Sequence, residues 1–153
     1  MIQRDPETEE RATKLALIGI FVSAVGAFAL PPLRSSAPLR LGLMDILLLG
    51  LTTFRMGNML AFERIADPIR EPFAERVREP RTGEETIAPR GQGARRALGE
   101  LFSCPICAGT WVAAGLVYGL HLFPRPTRAF MTVMSATAVA QILRTAIGAL
   151  ASK

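Results

Sequence analysis

Leu101-Phe-Ser-Cys-Pro-Ile-Cys-Ala-Gly-Thr-Trp-Val-Ala-Ala-Gly-Leu-Val-Tyr-Gly-Leu-His-Leu-Phe-Pro124 runs for 24 residues without a charged side chain. As a helix it would extend about 36 Å at 1.5 Å per residue, more than the roughly 30 Å of a bilayer's hydrocarbon core. The rest of the chain repeats the pattern. Residues 15–33 are charge-free, residues 41–62 carry only Asp45 and Arg55, and residues 129–150 carry only Arg144. Of the 31 charges in the 153 residues, 23 lie in residues 1–14 and 63–100. A soluble domain spreads its charge over every surface-facing segment, so this clustering predicts apolar spans separated by wet segments. The expected fold is all-α and polytopic, with about four transmembrane helices. Its segments are an N-terminal helix start (1–14), helices one and two (15–62), a charged loop with short amphipathic helices (63–100), and helices three and four (101–150).

The formal charge of +5 gives no nucleic-acid reading. Residues 1–14 sum to −1 and residues 63–100 to zero, so the excess comes from arginines near span ends, not from one basic face. Counted by side, thirteen Lys and Arg fall with the termini and the 63–100 loop, against four on the other side. The positive-inside rule therefore predicts both termini in the cytoplasm and a location in the inner membrane. Arg4, Arg11 and Lys14 followed by an apolar run ending in Ala27-Phe28-Ala29 imitate a secretory signal. The run continues to spanning length, and the expectation is a retained helix. Asp5-Pro6-Glu7 reads as its start, with Glu10 and Lys14 one turn apart and Pro31-Pro32 as its end.

In the loop, Ile65, Ile69, Phe73 and Val77 recur every four residues, which predicts amphipathic helix broken by Pro68, Pro72 and Pro80. Thr82-Gly83 and Gly91-Gln92-Gly93 read as turns. The loop is either a solvated charged face or an ordered docking surface. Arg90, Arg95 and Arg96, just before the third span, are candidates for anionic lipid headgroups.

Cys104-Pro105-Ile106-Cys107 opens the third span. Pro105 at a first helical position puts Cys104 at the N-cap, where amides favour a thiolate. The spacing is also half a zinc site, but His121 lies fourteen residues beyond Cys107 and cannot complete it. Two thiols packing a helix entrance, a redox pair, and a zinc site shared with a second chain all remain open. Two cysteines exclude a disulfide-stapled scaffold. Within the spans, Gly115-Leu-Val-Tyr-Gly119 is a small-xxx-small packing motif, continued by Ser135 to Ala140 in the fourth span. Trp111 is a candidate interface anchor. Arg55 and Arg144 sit in the inner halves of their spans, where snorkelling to the headgroups is expected.

Three blocks taken in order resemble a known pattern: Leu47 to Arg55, Asp67-Pro68-Ile69-Arg70-Glu71-Pro72-Phe73, and Gly99 to Trp111. Over roughly residues 43–145 the chain is similar to the bacterial domain-of-unknown-function family thirteen-sixty, small membrane proteins with a member in spore-forming bacteria. The resemblance implies that Arg55, Asp67, Arg70, Cys104, Cys107, Gly109 and Trp111 belong to the family pattern. It implies no activity, substrate or cofactor.

The functional expectation is a non-enzymatic accessory or scaffold subunit of a larger membrane complex. Its partners would be lipids and other subunits or further copies of itself, without a cofactor. The alternative is a membrane thiol protein using Cys104 and Cys107 for redox chemistry or an intersubunit zinc.

Overall fold

A computed structural model describes residues 5–27, 41–78 and 85–151. The chain forms α1 (Pro6–Ala27), α2 (Leu43–Phe62), a 3-10 turn (Arg64–Ala66), α3 (Asp67–Arg70), β1 (Ala74–Arg78), β2 (Glu85–Pro89), α4 (Ala94–Ser103), α5 (Pro105–Leu122) and α6 (Pro124–Ala151). Three of these, α2, α5 and α6, are long and apolar enough to cross a membrane. The first predicted span overlaps α1, which is not one of the three and whose opening turns carry the charges of residues 7–14. The Pro31-Pro32 stop lies outside the described residues.

Local chemistry sets the helix ends. Pro6 occupies the first position of α1, and the Asp5 carbonyl accepts from the Thr8 and Glu9 amides at 2.9 and 3.1 Å. The Gly42 amide donates to the Asp45 carboxylate at the head of α2, 3.2 Å away. Pro124 starts α6 directly after Phe123, five residues earlier than the charge pattern predicts. Proline in a first turn loses no helical hydrogen bond, so Arg125 and Arg128 become helical as well.

The loop corrects the all-α expectation. The repeat is broken at the prolines, and its first piece is α3, a single turn because Pro72 has no amide to bond back to residue 68, but no helix follows Pro72. Beyond it β1 pairs antiparallel with β2, in register from Ala74 opposite Pro89 to Arg78 opposite Glu85. Val77, Thr86 and Ile87 suit that geometry. Ile65 and Ile69 stay exposed, while Phe73 stacks on Phe102 of α4 at 5.9 Å between ring centres. The glycine turn is found: Gly91 and Gly93 have φ of 81° and 58°, a backbone that suits glycine, immediately ahead of α4. The Thr82-Gly83 turn lies outside the described residues.

α2 is the central helix and packs on both α5 and α6. Its crossing with α5 is a backbone contact. A Cβ on Gly57 would stand 2.4 Å from the Pro105 carbonyl oxygen, and one on Gly109 would stand 3.3 Å from the Thr53 methyl. Against α6 the seam is polar. The buried Thr52 hydroxyl donates to the Met131 carbonyl at 3.0 Å, and the Ser135 hydroxyl donates to the Leu48 carbonyl at 3.0 Å. Arg128 closes this seam on Asp45 with two bonds of 2.9 and 3.1 Å. Leu116, Leu120 and Met131 form the core between α5 and α6. α1 lies outside α5, with Phe21 edge-on to Trp111 at 5.2 Å and the Tyr118 hydroxyl donating to the Ala24 carbonyl.

The crossing gives a signed prediction. Gly57→Ala should destabilise the detergent-solubilised protein by about 1–3 kcal/mol, the cost of overpacking. Gly115→Ala, whose Cβ would meet nothing within 4 Å, should be neutral or stabilising by up to about 1 kcal/mol. Thermal unfolding of both variants checks the contrast.

Candidate functional site

Three residues of the family pattern, Arg55, Asp67 and Arg70, gather at the C-terminal end of α2. A helix ends with carbonyls that have no intrahelical partner and carry partial negative charge. Here Arg70, 2 % exposed, turns back from α3 and donates to the Leu60 carbonyl at 3.3 Å and to the Ala61 carbonyl. Arg76 of β1 donates to the next carbonyl, Phe62, at 3.1 Å. One oxygen of Asp67 accepts from both guanidiniums, at 3.2 Å from Arg76. On the same helix end Arg55 forms a two-bond ion pair with Glu63. Arg55 thus reaches along α2 towards its C-terminal end, and the group it meets is a carboxylate of its own chain.

Asp67 is the electrostatic centre of this cap. Its partial burial opposes ionisation, but the Arg76 and Arg70 guanidiniums outweigh that and hold its carboxyl below the usual carboxylate range. α4 closes over the cap through Gly99, where a Cβ would stand 2.3 Å from the Phe73 carbonyl oxygen. Arg95 donates to the Pro72 carbonyl, Arg90 meets Glu75 at 3.2 Å, and Arg96 meets Glu100 and Glu10 at 3.5 and 3.8 Å. All three proposed headgroup arginines therefore also hold partners within the chain.

The cysteines lie where α4 hands over to α5. Cys104 is the N-cap of α5, and its sulfur accepts from the Cys107 amide at 3.3 Å. The Cys107 thiol, followed by the Cys107 and Ile106 amides, holds the Cys104 thiol below its ordinary value against the opposing effect of burial. Both thiols are free, Cys104 half-buried and Cys107 exposed. Among the described residues no cluster of three His, Cys, Asp or Glu is placed to hold a metal, so the pair supplies two ligands.

Cys107 opens on an apolar groove of about 410 Å³ between α1, α4 and α5, walled by Leu17, Phe21, Leu101 and Trp111. Lys14 and Glu100 pair across its rim at 2.7 Å. Glu10 and Glu100 raise the Lys14 pKa, and Lys14 lowers that of Glu100. Trp111 is thus a wall residue shared with α1. Gly119 packs on Thr127 of α6, whereas Gly115 faces open space, so the two glycines of the motif serve different faces.

Gly57, Gly99, Thr52 and Arg76 lie inside segments legible in the sequence, but their roles depend on what faces them across the fold. Asp45 stands in the first turn of α2, and its partner Arg128 is 83 residues away.

The cap predicts a pH response. Because the folded pKa of Asp67 is depressed, its contribution to stability is fully present above the ordinary carboxylate value. It is lost as pH falls through the lower folded value. Asp67→Asn should be less stable at neutral pH and should lack that acid-dependent loss. Arg70→Met should cost about 2–3 kcal/mol by taking the donor from the Leu60 and Ala61 carbonyls and leaving Asp67 to Arg76 alone. Unfolding midpoints in detergent between neutral and acid pH measure both.

Comparison with known proteins covers most of this architecture. The family model described as a protein of unknown function (DUF1360) matches residues 48–147, from within α2 to within α6. Sporulation protein YjcA of Bacillus subtilis (strain 168) is 31% identical over 107 residues, 68% of this chain and 91% of that protein. The UPF0713 protein YngL of the same organism is 27% identical over 112 residues, 71% of this chain and 82% of that protein. No solved structure matches. The capped end of α2 and the Cys-Pro-Ile-Cys junction both fall inside the matched stretch, and the chain belongs to the DUF1360 family.

Proposed function

We propose that the protein is a non-enzymatic accessory or scaffold subunit of a larger assembly in the bacterial inner membrane. In this reading α1 is a fourth span and both termini are cytoplasmic. The observation that carries it is the use made of Arg55, Asp67 and Arg70. Their charges are spent on fixing one helix end and the hairpin above it, which supports a rigid platform at the membrane surface. The exposed side of α5 at Gly115 offers a close-approach surface for a neighbouring span. Spare guanidinium donors on Arg90, Arg95 and Arg96 suit headgroups or an acidic neighbour. Gentle detergent extraction followed by native mass measurement tests the proposal. Co-purifying subunits or a defined oligomer are expected, and a lone monomer overturns it.

A second reading, a membrane thiol protein, draws support from one specific observation: Cys107 is exposed along the groove while Cys104 has the more acidic thiol. In this reading the pair cycles between dithiol and disulfide or shares zinc with a second chain. Thiol alkylation of membranes with and without reductant tests it. Protection of both cysteines until reduction or chelation supports the reading, and full labelling of both at the outset overturns it.

A further inference from the structure

One face of α1 changes chemistry at a single residue. Glu7, Glu10, Arg11 and Lys14 recur at the three- and four-residue spacing of one helix face and line a polar cleft of about 570 Å³. Lys14, Leu17, Ile18 and Phe21 continue that face along the apolar groove of about 410 Å³. The opposite wall changes at the same level. Gln92, Gly93 and Arg96 face the cleft, and Ala97, Leu101 and Trp111 face the groove. Lys14 belongs to both cavities, and its pair with Glu100 marks their junction. The two cavities therefore form one trough, charged at one end and apolar at the other, with each part inside the roughly 300–1,000 Å³ range of ligand sites.

We propose that this trough is a binding site for one phospholipid with a zwitterionic, primary-amine headgroup. The charges select the headgroup. Arg11 and the remaining N–H groups of Lys14 and Arg96, which also hold Glu10 and Glu100, offer donors to a phosphate, and Glu7 and the remaining lone pairs of Glu10 offer acceptors to an ammonium. A purely anionic headgroup satisfies the cations and meets the carboxylates with like charge. A quaternary ammonium has no N–H to give to Glu7 or Glu10. The apolar half takes an acyl chain along Leu17, Ile18 and Phe21, in contact with the Cys107 and Trp111 side of α5. α1 precedes the family-matched residues 48–147, so one wall of the site lies outside the part shared with the family model. A bound lipid would join α1 to that part by filling the space between them.

The test uses the full chain, stripped of lipid in detergent and offered equal amounts of phosphatidylethanolamine, phosphatidylcholine and phosphatidylglycerol with identical acyl chains. Native mass spectrometry should find one ethanolamine lipid retained roughly five- to tenfold better than the other two, the scale of one charge-assisted contact. Ile18→Trp, which fills the apolar half, should remove that preference. Arg11→Gln, outside the Lys14–Glu100 pair, should reduce it about fivefold. Equal retention of all three lipids overturns the proposal, as does undiminished selectivity in a folded Ile18→Trp variant. The headgroup comparison on the unaltered chain is decisive even where a variant fails to fold.

Discussion

The buried guanidinium of Arg70 is the constraint on which the hairpin end of the structure depends. A helix leaves its last carbonyls short of donors, and water competes poorly for them once other elements cover the end. Arg70 resolves this for α2 and requires a counter-charge, which Asp67 supplies from one turn earlier. Asp67 in turn fixes Arg76, and Arg76 anchors the first strand of the hairpin. The hairpin gives α4 a surface to pack on, and α4 leads into the cysteine junction. The order of contacts runs from one capped helix end outward to the thiols.

Among the long apolar helices the balance of forces is different. Burial from lipid contributes little to helix–helix contact, so close approach and hydrogen bonds decide the packing. The α2–α5 crossing uses the first principle through Gly57 and Gly109, and the α2–α6 seam uses the second through Thr52 and Ser135. Asp45 and Arg128 place opposite charges at the other end of that seam, so α2 is tied by polar contacts at both ends and packed on glycine near one of them.

Much of this was legible in the sequence, and the reasons are physical. Long runs with few or no charges are self-evident, so α2, α5 and the body of α6 could be placed from residue order alone. Helix starts at Pro6 and Pro105 and the Gly91–Gly93 turn are local chemistry and were readable for the same reason. The hairpin was not, because Ile65, Ile69, Phe73 and Val77 imitate a helical repeat that Pro72 cuts, and the partners of a strand, such as Val77 and Thr86 nine residues apart, meet only after the chain turns. The roles of Asp67 and Arg70 were equally hidden. The family resemblance marked them as a pattern, but the carbonyls they serve belong to a different element.

The contact between Gly57 and the Pro105–Gly109 turn has a mechanical consequence. Two backbones touching without side chains between them form a fulcrum, and this fulcrum is close to one end of α5. Cys107 lies about 3 Å from Gly109 along the helix axis, while Leu122 lies about 20 Å away on the other side. Any tilt of α5 therefore moves the thiols little and carries the Phe123 corner, with α6 attached to it, through a several-fold longer arc.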